Sequence, residues 1–178
     1  RDGRASNWLC QHLREGDQLD VLAPAGAFVP RHFDDDFVLF GGGSGVTPVL
    51  SILRTALITG SGRILLIYAN RDEASVIFAA ELKALASAHP QRLQVIHWLD
   101  SVQGIPAVAQ LAEIARPWAH AQAFICGPGP FMDAAVSALQ GLGMPHGRIH
   151  VERFVSLPEE GSVPALPAVN PEAVSSQL

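Results

Sequence analysis

Cysteine is scarce in this sequence, which contains two, Cys10 and Cys126, in 178 residues. They lie far apart along the chain and lack the spacing of metal ligands, so the sequence predicts neither a disulfide framework nor a metal site. Such cysteine usage favours a reducing, cytoplasmic setting. Long apolar runs are missing too, and no stretch approaches the roughly 20 residues of a membrane-spanning helix, so we expect no membrane span.

Positive charge is in short supply as well. The 12 Lys and Arg residues are outnumbered by 17 Asp and Glu residues, which gives a formal net charge of −5 and a pI near 5.7. No cluster of basic residues offsets this balance, so the sequence argues against nucleic acid as a partner. The apolar share of 48% is, by contrast, large enough for a substantial core.

From residue 36 to residue 154, short apolar stretches alternate with segments of helical character. Strands are predicted over residues 37–40, 63–69, 93–98, 121–126 and 148–152. Helices are predicted over residues 48–59, 75–88, 106–115 and 131–142. This order predicts an α/β fold with a five-stranded, doubly wound parallel sheet covered by helices on both faces. Ligands of such sheets bind beyond the carboxyl ends of the strands, which would bring together the loops at residues 41–47, 70–73, 99–103 and 127–131.

The loop after the first predicted strand carries the most informative motif, Gly41-Gly42-Gly43-Ser44-Gly45-Val46-Thr47-Pro48. Thr47 is predicted to cap the following helix, with Pro48 at its first position. A strand, a glycine loop and a helix start in this order aim backbone N–H groups and the positive end of a helix dipole at one place, which is typical of a phosphate site. The alternative is a tight glycine turn without a ligand.

Three better-known loops do not match these residues. Val46 stands where G-x-G-x-x-G requires its last glycine, and no Lys followed by Ser or Thr completes a P-loop. Ser44 lacks the closing glycine of G-x-S-x-G and has no partner histidine at an identifiable spacing. We therefore expect no nucleophilic catalysis from this serine.

A second glycine motif, Ile125-Cys126-Gly127-Pro128-Gly129-Pro130-Phe131-Met132, also follows an apolar strand and precedes a helix. In this order and at this separation, the two motifs resemble those of the ferredoxin–NAD(P)⁺ reductase-like flavoprotein reductases. Within that superfamily the chain is most similar to the reductase components of bacterial multicomponent oxygenases, in the subgroup of the 3-ketosteroid 9α-hydroxylase and phenylacetyl-CoA oxygenase reductases. The resemblance covers nearly all of residues 1–157 and extends to Tyr68-Ala69-Asn70-Arg71-Asp72, His97-Trp98-Leu99 and Val151-Glu152-Arg153-Phe154.

The resemblance implies an electron-transfer oxidoreductase that passes hydride from NAD(P)H to FAD and then single electrons to an iron–sulfur centre, with an oxygenase component or a ferredoxin as electron acceptor. It implies that the dinucleotide contacts residues 41–48, Asn70, Arg71, Gly127, Pro128, Phe131 and Met132. It also implies that Cys126 helps set the nicotinamide against the flavin and that Phe154 covers the flavin face. Without the resemblance, both would be interpreted as ordinary core residues.

The choice between NADH and NADPH depends on the residues after the second predicted strand. Arg71 suits the 2′-phosphate of NADPH, because a guanidinium binds phosphate through two parallel hydrogen bonds. Asp72 and Glu73 favour instead the ribose diol of NADH. The most similar family members suggest NADH, which we expect here.

The first part of the chain, residues 1–33, resembles the C-terminal end of a flavin-binding β-barrel domain. Gly3 and Ser6, at a helix start, would meet the FAD pyrophosphate. Ser6 and Asn7 are predicted to cap a helix through Leu13, and residues 18–22 alternate as a strand does. The remaining domains would be an NAD(P)-binding domain over residues 34–157 and a Pro-rich linker towards a [2Fe–2S] ferredoxin-like domain over residues 158–178.

The main flavin clamp and the cluster cysteines of this family are expected outside the chain, since two cysteines cannot ligate a [2Fe–2S] cluster that needs four. We therefore expect a fragment of a longer protein, with a partial FAD site. Two alternatives stay open: a truncated nucleotide-binding module without redox turnover, and an electron-transfer subunit of another flavoprotein complex. No feature predicts the oligomeric state.

Two polar clusters outside the motifs are interpreted as structural. His146, His150 and Glu152 lack the convergent ligand pattern of a metal site. The acidic run Asp34-Asp35-Asp36 is predicted to be a solvated turn within a polar linker over residues 31–36.

Overall fold

The structure is a computed structural model that describes residues 4–23 and 25–154, so the predictions for Gly3 and for residues 158–178 lie outside the described residues. Within those ranges, no helix has the length and apolar character needed to cross a membrane. The helices are α1 (Arg4–His12), α2 (Val46–Thr59), α3 (Ala79–Ala88), α4 (Asp100–Gln103), α5 (Val108–Ala115) and α6 (Gly129–Gly141). The strands are β1 (Phe37–Gly42), β2 (Ile64–Asn70), β3 (Leu93–Leu99), β4 (Gln122–Cys126) and β5 (Ile149–Glu152). Short 3₁₀ turns cover Gly43–Gly45, Glu73–Ser75, Arg116–Trp118 and His146–Arg148.

The strands form one parallel sheet in the order β3-β2-β1-β4-β5, which confirms the predicted five-stranded parallel architecture. β1 occupies the centre because it is apolar on both faces, and its residues 37–40 are fully buried. The chain moves outward from β1 to β3 and then crosses to the other side of β1 with β4. This change of direction opens a crevice at the carboxyl ends of β1 and β4.

Helices cover both faces of the sheet, and the side chains of β1 alternate between them. Val38 and Phe40 share a buried cluster with residues of α5 and α6. Phe37 and Leu39 share a second buried cluster with residues of α2 and α3. This alternation follows from the two-residue period of a strand, and it anchors both ends of β1 in the core.

Several predicted elements and boundaries are wrong. Residues 18–22 form no strand, because alternation alone does not make one: all strand pairing in the described residues lies within β1–β5, and these five residues are exposed. α1 begins at Arg4, so Ser6 lies inside its first turn and not at its cap. α3 begins at Ala79, because Asp72 caps a separate 3₁₀ turn and Phe78 adopts a left-handed backbone with φ 58°.

The acidic run at residues 34–36 is more than a solvated turn: Asp34 is exposed, but Asp34 and Asp36 form a hydrogen-bonded clasp at the amino end of the sheet. Asp34 accepts hydrogen bonds from the backbone and hydroxyl of Ser61 at 3.1 and 2.9 Å. Asp36 accepts from the backbone N–H of Arg63 at 2.7 Å, from its guanidinium at 2.9 Å, and pairs with Nε2 of His120 at 3.0 Å. Burial opposes ionisation of Asp36, but the hydrogen bonds from Arg63 and His120 prevail and lower its pKa to about 2.

Candidate functional site

The glycine loop joins β1 to α2 through one 3₁₀ turn, as the motif predicts, but the helix begins earlier than expected. Gly45 occupies the N-cap position, and Val46 is the first helical residue. Thr47 is therefore not the cap, and its hydroxyl donates to the carbonyl of Ser44 at 3.0 Å. Pro48 lies third in the helix, still within the first turn, where a missing N–H breaks no helical hydrogen bond.

The two glycine motifs are in direct contact. Cys126 is the register partner of Gly41, so the loops that follow β1 and β4 leave the sheet side by side. A Cβ atom on Gly45 would lie 2.3 Å from the carbonyl oxygen of Cys126, and one on Gly42 would lie 2.7 Å from Cδ of Pro128. Only glycine fits at these two positions, and the loops close into a single backbone surface.

Val46 explains why the loop departs from G-x-G-x-x-G. Its side chain is fully buried and packs in the cluster that α2 forms with the sheet. The close backbone approach is made one residue earlier, by Gly45. A glycine at position 46 would therefore remove core packing without bringing the backbone closer to the cleft.

Two clefts meet along the glycine loop, and both are lined by Gly42, Gly43 and Pro128. The first, which we call the β2-side cleft, has a volume of about 420 Å³. Its other lining residues include Asn70, Arg71, Ser75, Asp100, Ile105, Pro106 and Phe131. The second, the β4-side cleft, has a volume of about 530 Å³ and is also lined by Ser44, Gly45, Gly127, Gly129, Met132, Arg153 and Phe154.

Most predicted binding residues thus lie together at this edge of the sheet. Gly41, Val46 and Thr47 support the loop without lining either cleft. Pro48 lines a third cavity, of about 330 Å³, together with Phe28, Glu152 and Phe154. Ser6 lies on α1 and lines none of these three cavities.

Asn70 is the buried polar side chain of the β2-side cleft. It is 5% exposed, and neither its Oδ1 nor its Nδ2 has a hydrogen-bond partner among the described residues. The nearby Tyr68 hydroxyl donates to the carbonyl of Gly43 at 3.2 Å, and the Asn70 amide is close enough to lower the pKa of that hydroxyl against the larger, opposite effect of burial. A buried amide without partners is costly, so the cleft presents hydrogen-bonding capacity that the protein itself does not satisfy.

The charged residues beside Asn70 differ from those the sequence suggested. Asp72 is engaged with Ser75, whose hydroxyl and backbone N–H donate to it at 2.7 and 2.9 Å and lower its pKa. Asp72 does not line the cleft, whereas Asp100, the first residue after β3, does. The loop at residues 99–103 was expected beside the site from the sequence, but Asp100 was not named as a binding residue.

Cys126 lies beneath the β4-side cleft and is fully buried. Burial raises the pKa of its thiol, and the neighbouring charge of Glu152 raises it further, so the thiol is neutral near pH 7. Glu152 is the register partner of Cys126 on β5 and precedes Phe154, which is 59% exposed. From the sequence, Glu152 was placed in a motif of the resemblance and considered as a metal ligand, but its place beside Cys126 was not predicted.

The histidines considered for metal binding do not converge. In the described ranges, no group of three or more His, Cys, Asp or Glu side chains could hold a metal ion. His150 instead stacks on Phe124, with ring centroids 4.5 Å apart. Its pKa is lowered by burial and by Arg31.

The parallel sheet and the clefts at its glycine loop are those of a nucleotide-binding α/β domain. Residues 39–137 match the oxidoreductase NAD-binding domain family, and the chain belongs to that family, with a fold of the ferredoxin reductase type. The resemblance inferred from the two glycine motifs is thereby confirmed.

Two relatives with known names are similar to this chain over most of its length. The chain is 58% identical over 156 residues to the "3-ketosteroid-9-alpha-monooxygenase, ferredoxin reductase component" of Rhodococcus rhodochrous, with 88% of this chain and 44% of that protein covered. It is 36% identical over 167 residues to one of the polypeptides of the 1,2-phenylacetyl-CoA epoxidase of Escherichia coli K12, with 85% and 47% covered. The chain thus spans about half the length of these relatives.

Among solved structures, the flavohem-like FAD/NAD binding domain of nitric oxide dioxygenase from Vibrio cholerae O1 biovar El Tor superposes with a TM-score of 0.72 and 30% identity. The match covers 85% of this chain and 65% of that one.

Proposed function

We propose that this chain binds a reduced nicotinamide dinucleotide across the two clefts and belongs to an electron-transfer oxidoreductase that serves an oxygenase. The observation that carries the proposal is the pair of clefts joined at the glycine loop. One of them contains the buried amide of Asn70, which has no hydrogen-bond partner within residues 4–23 and 25–154. A dinucleotide has two nucleoside halves linked by a diphosphate, and two clefts joined by a loop of backbone N–H groups match that division.

The proposed orientation follows from the chemistry of the linings. The diphosphate would lie on residues 43–45, at the start of α2, where the helix dipole favours negative charge. The adenosine half would occupy the β2-side cleft, with Ile105 and Pro106 against the base and Asn70 bonding to the ribose or base. The nicotinamide half would occupy the β4-side cleft, near Cys126 and Phe154.

NADH is the proposed coenzyme. Arg71 and Asp100 both line the β2-side cleft. The carboxylate of Asp100 would accept hydrogen bonds from a ribose diol and would repel a 2′-phosphate. Arg71 supports a phosphate less than the sequence alone suggested, because an acidic side chain shares its cleft.

The residues around Phe154 fit a flavin. The third cavity is bounded by Phe28, Pro48 and Phe154, an apolar lining suited to an aromatic ring system, and it adjoins the β4-side cleft through Phe154. A bound flavin supplies the conversion of a two-electron hydride into single electrons. The carboxylate of Glu152 and the backbone of Gly127, which follows the buried Cys126, would border the space in which the nicotinamide meets it.

An oxygenase system is the proposed destination of the electrons, through an iron–sulfur acceptor. Support comes from the relatives that are 58% and 36% identical, which are named as parts of monooxygenase and epoxidase systems. The 3-ketosteroid names favour an oxygenase of that kind as the partner.

The test uses the purified chain and its visible absorbance. A flavin spectrum that bleaches on anaerobic addition of NADH is the expected result. A colourless chain that still binds NADH would favour the alternative of a nucleotide-binding module without redox turnover. Failure to bind NADH would overturn the proposal as a whole.

A further inference from the structure

Arg153 is the charged residue that lines the β4-side cleft. The remaining described residues of that lining are small, apolar or uncharged, and they belong mostly to the two glycine loops. Arg153 follows β5 directly, so the sheet holds its backbone beside those loops. The sequence motifs did not single out this residue as part of the site.

The guanidinium is held by a weak and accessible partner. One terminal nitrogen donates to Oδ1 of Asp133 on α6 at 2.7 Å, and the two side chains are 53% and 64% exposed. An ion pair this exposed contributes little to stability, because water screens both charges. A ligand anion could therefore replace Asp133 at small cost.

The other terminal nitrogen of Arg153 lies beside the start of α6, 3.9 Å from where a Cβ atom of Gly129 would be. The N-terminus of α2, capped by Gly45, borders the same cleft. Two helix N-termini and one guanidinium thus surround a single space. All three favour negative charge, and a guanidinium binds phosphate oxygens through two hydrogen bonds.

We propose that Arg153 binds the phosphate on the nicotinamide side of the dinucleotide. To bind it, the guanidinium gives up its ion pair with Asp133. This inference rests on the proposed function, because it assumes that the β4-side cleft receives the nicotinamide half. It adds a specific cation to a site otherwise made of backbone N–H groups. In a chain with a net charge of −5, a local cation also offsets repulsion of an anionic coenzyme.

The test is calorimetric titration of the full chain with NADH, for the wild type and four variants. Arg153→Gln should weaken binding about tenfold, since it removes a charge-assisted pair of hydrogen bonds. Arg153→Lys should weaken it about threefold, because the charge remains but the planar fork is lost. Asp133→Asn should strengthen binding about twofold, because it frees the guanidinium from its competitor.

The matched control is Arg54→Gln. Arg54 also forms one exposed ion pair, with Glu81, and it lies on α2 away from both cleft linings. This variant should change NADH affinity by less than about twofold. Raising the salt concentration should weaken NADH binding more steeply in the wild type than in Arg153→Gln.

The opposite signs expected for Arg153→Gln and Asp133→Asn separate a ligand contact from a purely structural pair. If both variants weaken NADH binding equally, or if Arg153→Gln binds NADH as the wild type does, the inference is overturned while the proposed function stands. Adenosine 5′-monophosphate lacks the nicotinamide-side phosphate, so its affinity should be the same in Arg153→Gln and wild type. Equal losses for both ligands would also overturn the inference. A wild-type chain that does not bind NADH would instead remove the proposed function.

Discussion

The two ends of the parallel sheet differ in how fully their polar side chains are hydrogen-bonded. At the amino end, Asp36 joins Arg63 and His120, and Arg92 donates to three backbone carbonyls, those of Gly62, Leu57 and Ala56, at 2.9–3.2 Å. At the carboxyl end, the loops consist largely of glycine, and Asn70 is buried without a hydrogen-bond partner among the described residues.

This difference shows how one strand can serve both stability and binding. β1 begins next to Asp36 and ends in Gly41 and Gly42, so the clasp and the cleft lie at opposite ends of a fully buried segment. Satisfied polar groups stabilise the fold, whereas unsatisfied groups reserve their hydrogen bonds for a ligand. Substitutions at the two ends should therefore separate stability from binding.

The largest effect is expected for Gly45→Ala, which should lower both the stability of the fold and the affinity for NADH. The new Cβ would lie 2.3 Å from the carbonyl oxygen of Cys126 and would force the two loops apart. We expect a loss of about 3 kcal/mol in the free energy of unfolding and no measurable NADH binding. Urea denaturation measures the free energy of unfolding, and NADH titration measures binding.

The control for that variant is Gly141→Ala at the end of α6, where no atom lies within 4 Å of the added Cβ. It should leave NADH binding unchanged and increase stability by up to about 1 kcal/mol. A Gly45→Ala chain as stable as the Gly141→Ala chain would show that the loops are not in close contact.

Asp36→Asn should lower the stability of the fold and leave NADH binding nearly unchanged. The variant loses the charge in an ion-paired cluster whose carboxylate is 19% exposed, so we expect about 2 kcal/mol of destabilisation. NADH affinity should stay within about twofold of the wild type, because the cleft lies at the other end of β1. A large loss of affinity in the folded variant would contradict the separation of the two ends.

The same cluster predicts an acid dependence. The folded pKa of Asp36 is about 2, below its ordinary value of 3.8, so the unfolded chain takes up the proton more readily. The stabilisation of about 2 kcal/mol is thus fully present above about pH 5 and is lost as the pH falls through 3.8 towards 2. Urea midpoints measured across this range should fall less steeply for Asp36→Asn than for the wild type.

Asn70→Leu should produce the opposite pattern to Asp36→Asn. Removing a buried amide that lacks partners should raise the free energy of unfolding by about 1 kcal/mol. NADH affinity should fall about tenfold, because the ligand loses the hydrogen bonds that the amide offers. If stability falls instead, the amide has a structural partner and the carboxyl end is not specialised for binding.

The smallest effect is expected for Asp100→Asn. Removing this carboxylate from the β2-side cleft should improve NADPH binding about threefold relative to NADH, because a repulsive charge is lost. Parallel titrations with the two coenzymes give the ratio. Glu113→Gln is a suitable control, since Glu113 pairs with Arg116 on the surface and does not line the cleft.

Much of the carboxyl end could be predicted because its signals are local. The apolar run at residues 37–40, the glycine motifs and Val46 each fall within a few consecutive residues, and strand period and glycine geometry translate them directly into structure. The predicted cap at Thr47 was two residues late. Nothing local distinguishes a helix start at Val46 from one at Pro48, and contact with the Cys126 carbonyl places Gly45 at the turn.

The residues that were misjudged depend on distant partners. Asp36 was interpreted as a solvated linker residue because Arg63 and His120, which surround it, are 27 and 84 positions away. Residues 18–22 have the alternation of a strand but no partner strand among the described residues. Asp72 is engaged with Ser75, which left Asp100 as the acidic residue of the cleft.

The sequence by itself therefore determined the class of fold, the order of the five sheet strands and the main helices along the chain, and the two glycine loops. Each of these depends on periodicity or on a backbone that only glycine permits. The tertiary structure decided which polar side chains are satisfied and which are left for a ligand. It paired Asp36, left Asn70 without a hydrogen-bond partner in the part of the chain that the structure describes, and brought Arg153 to the start of α6. Hydrogen-bond satisfaction is a property of neighbours in space, and no spacing along the chain specifies it.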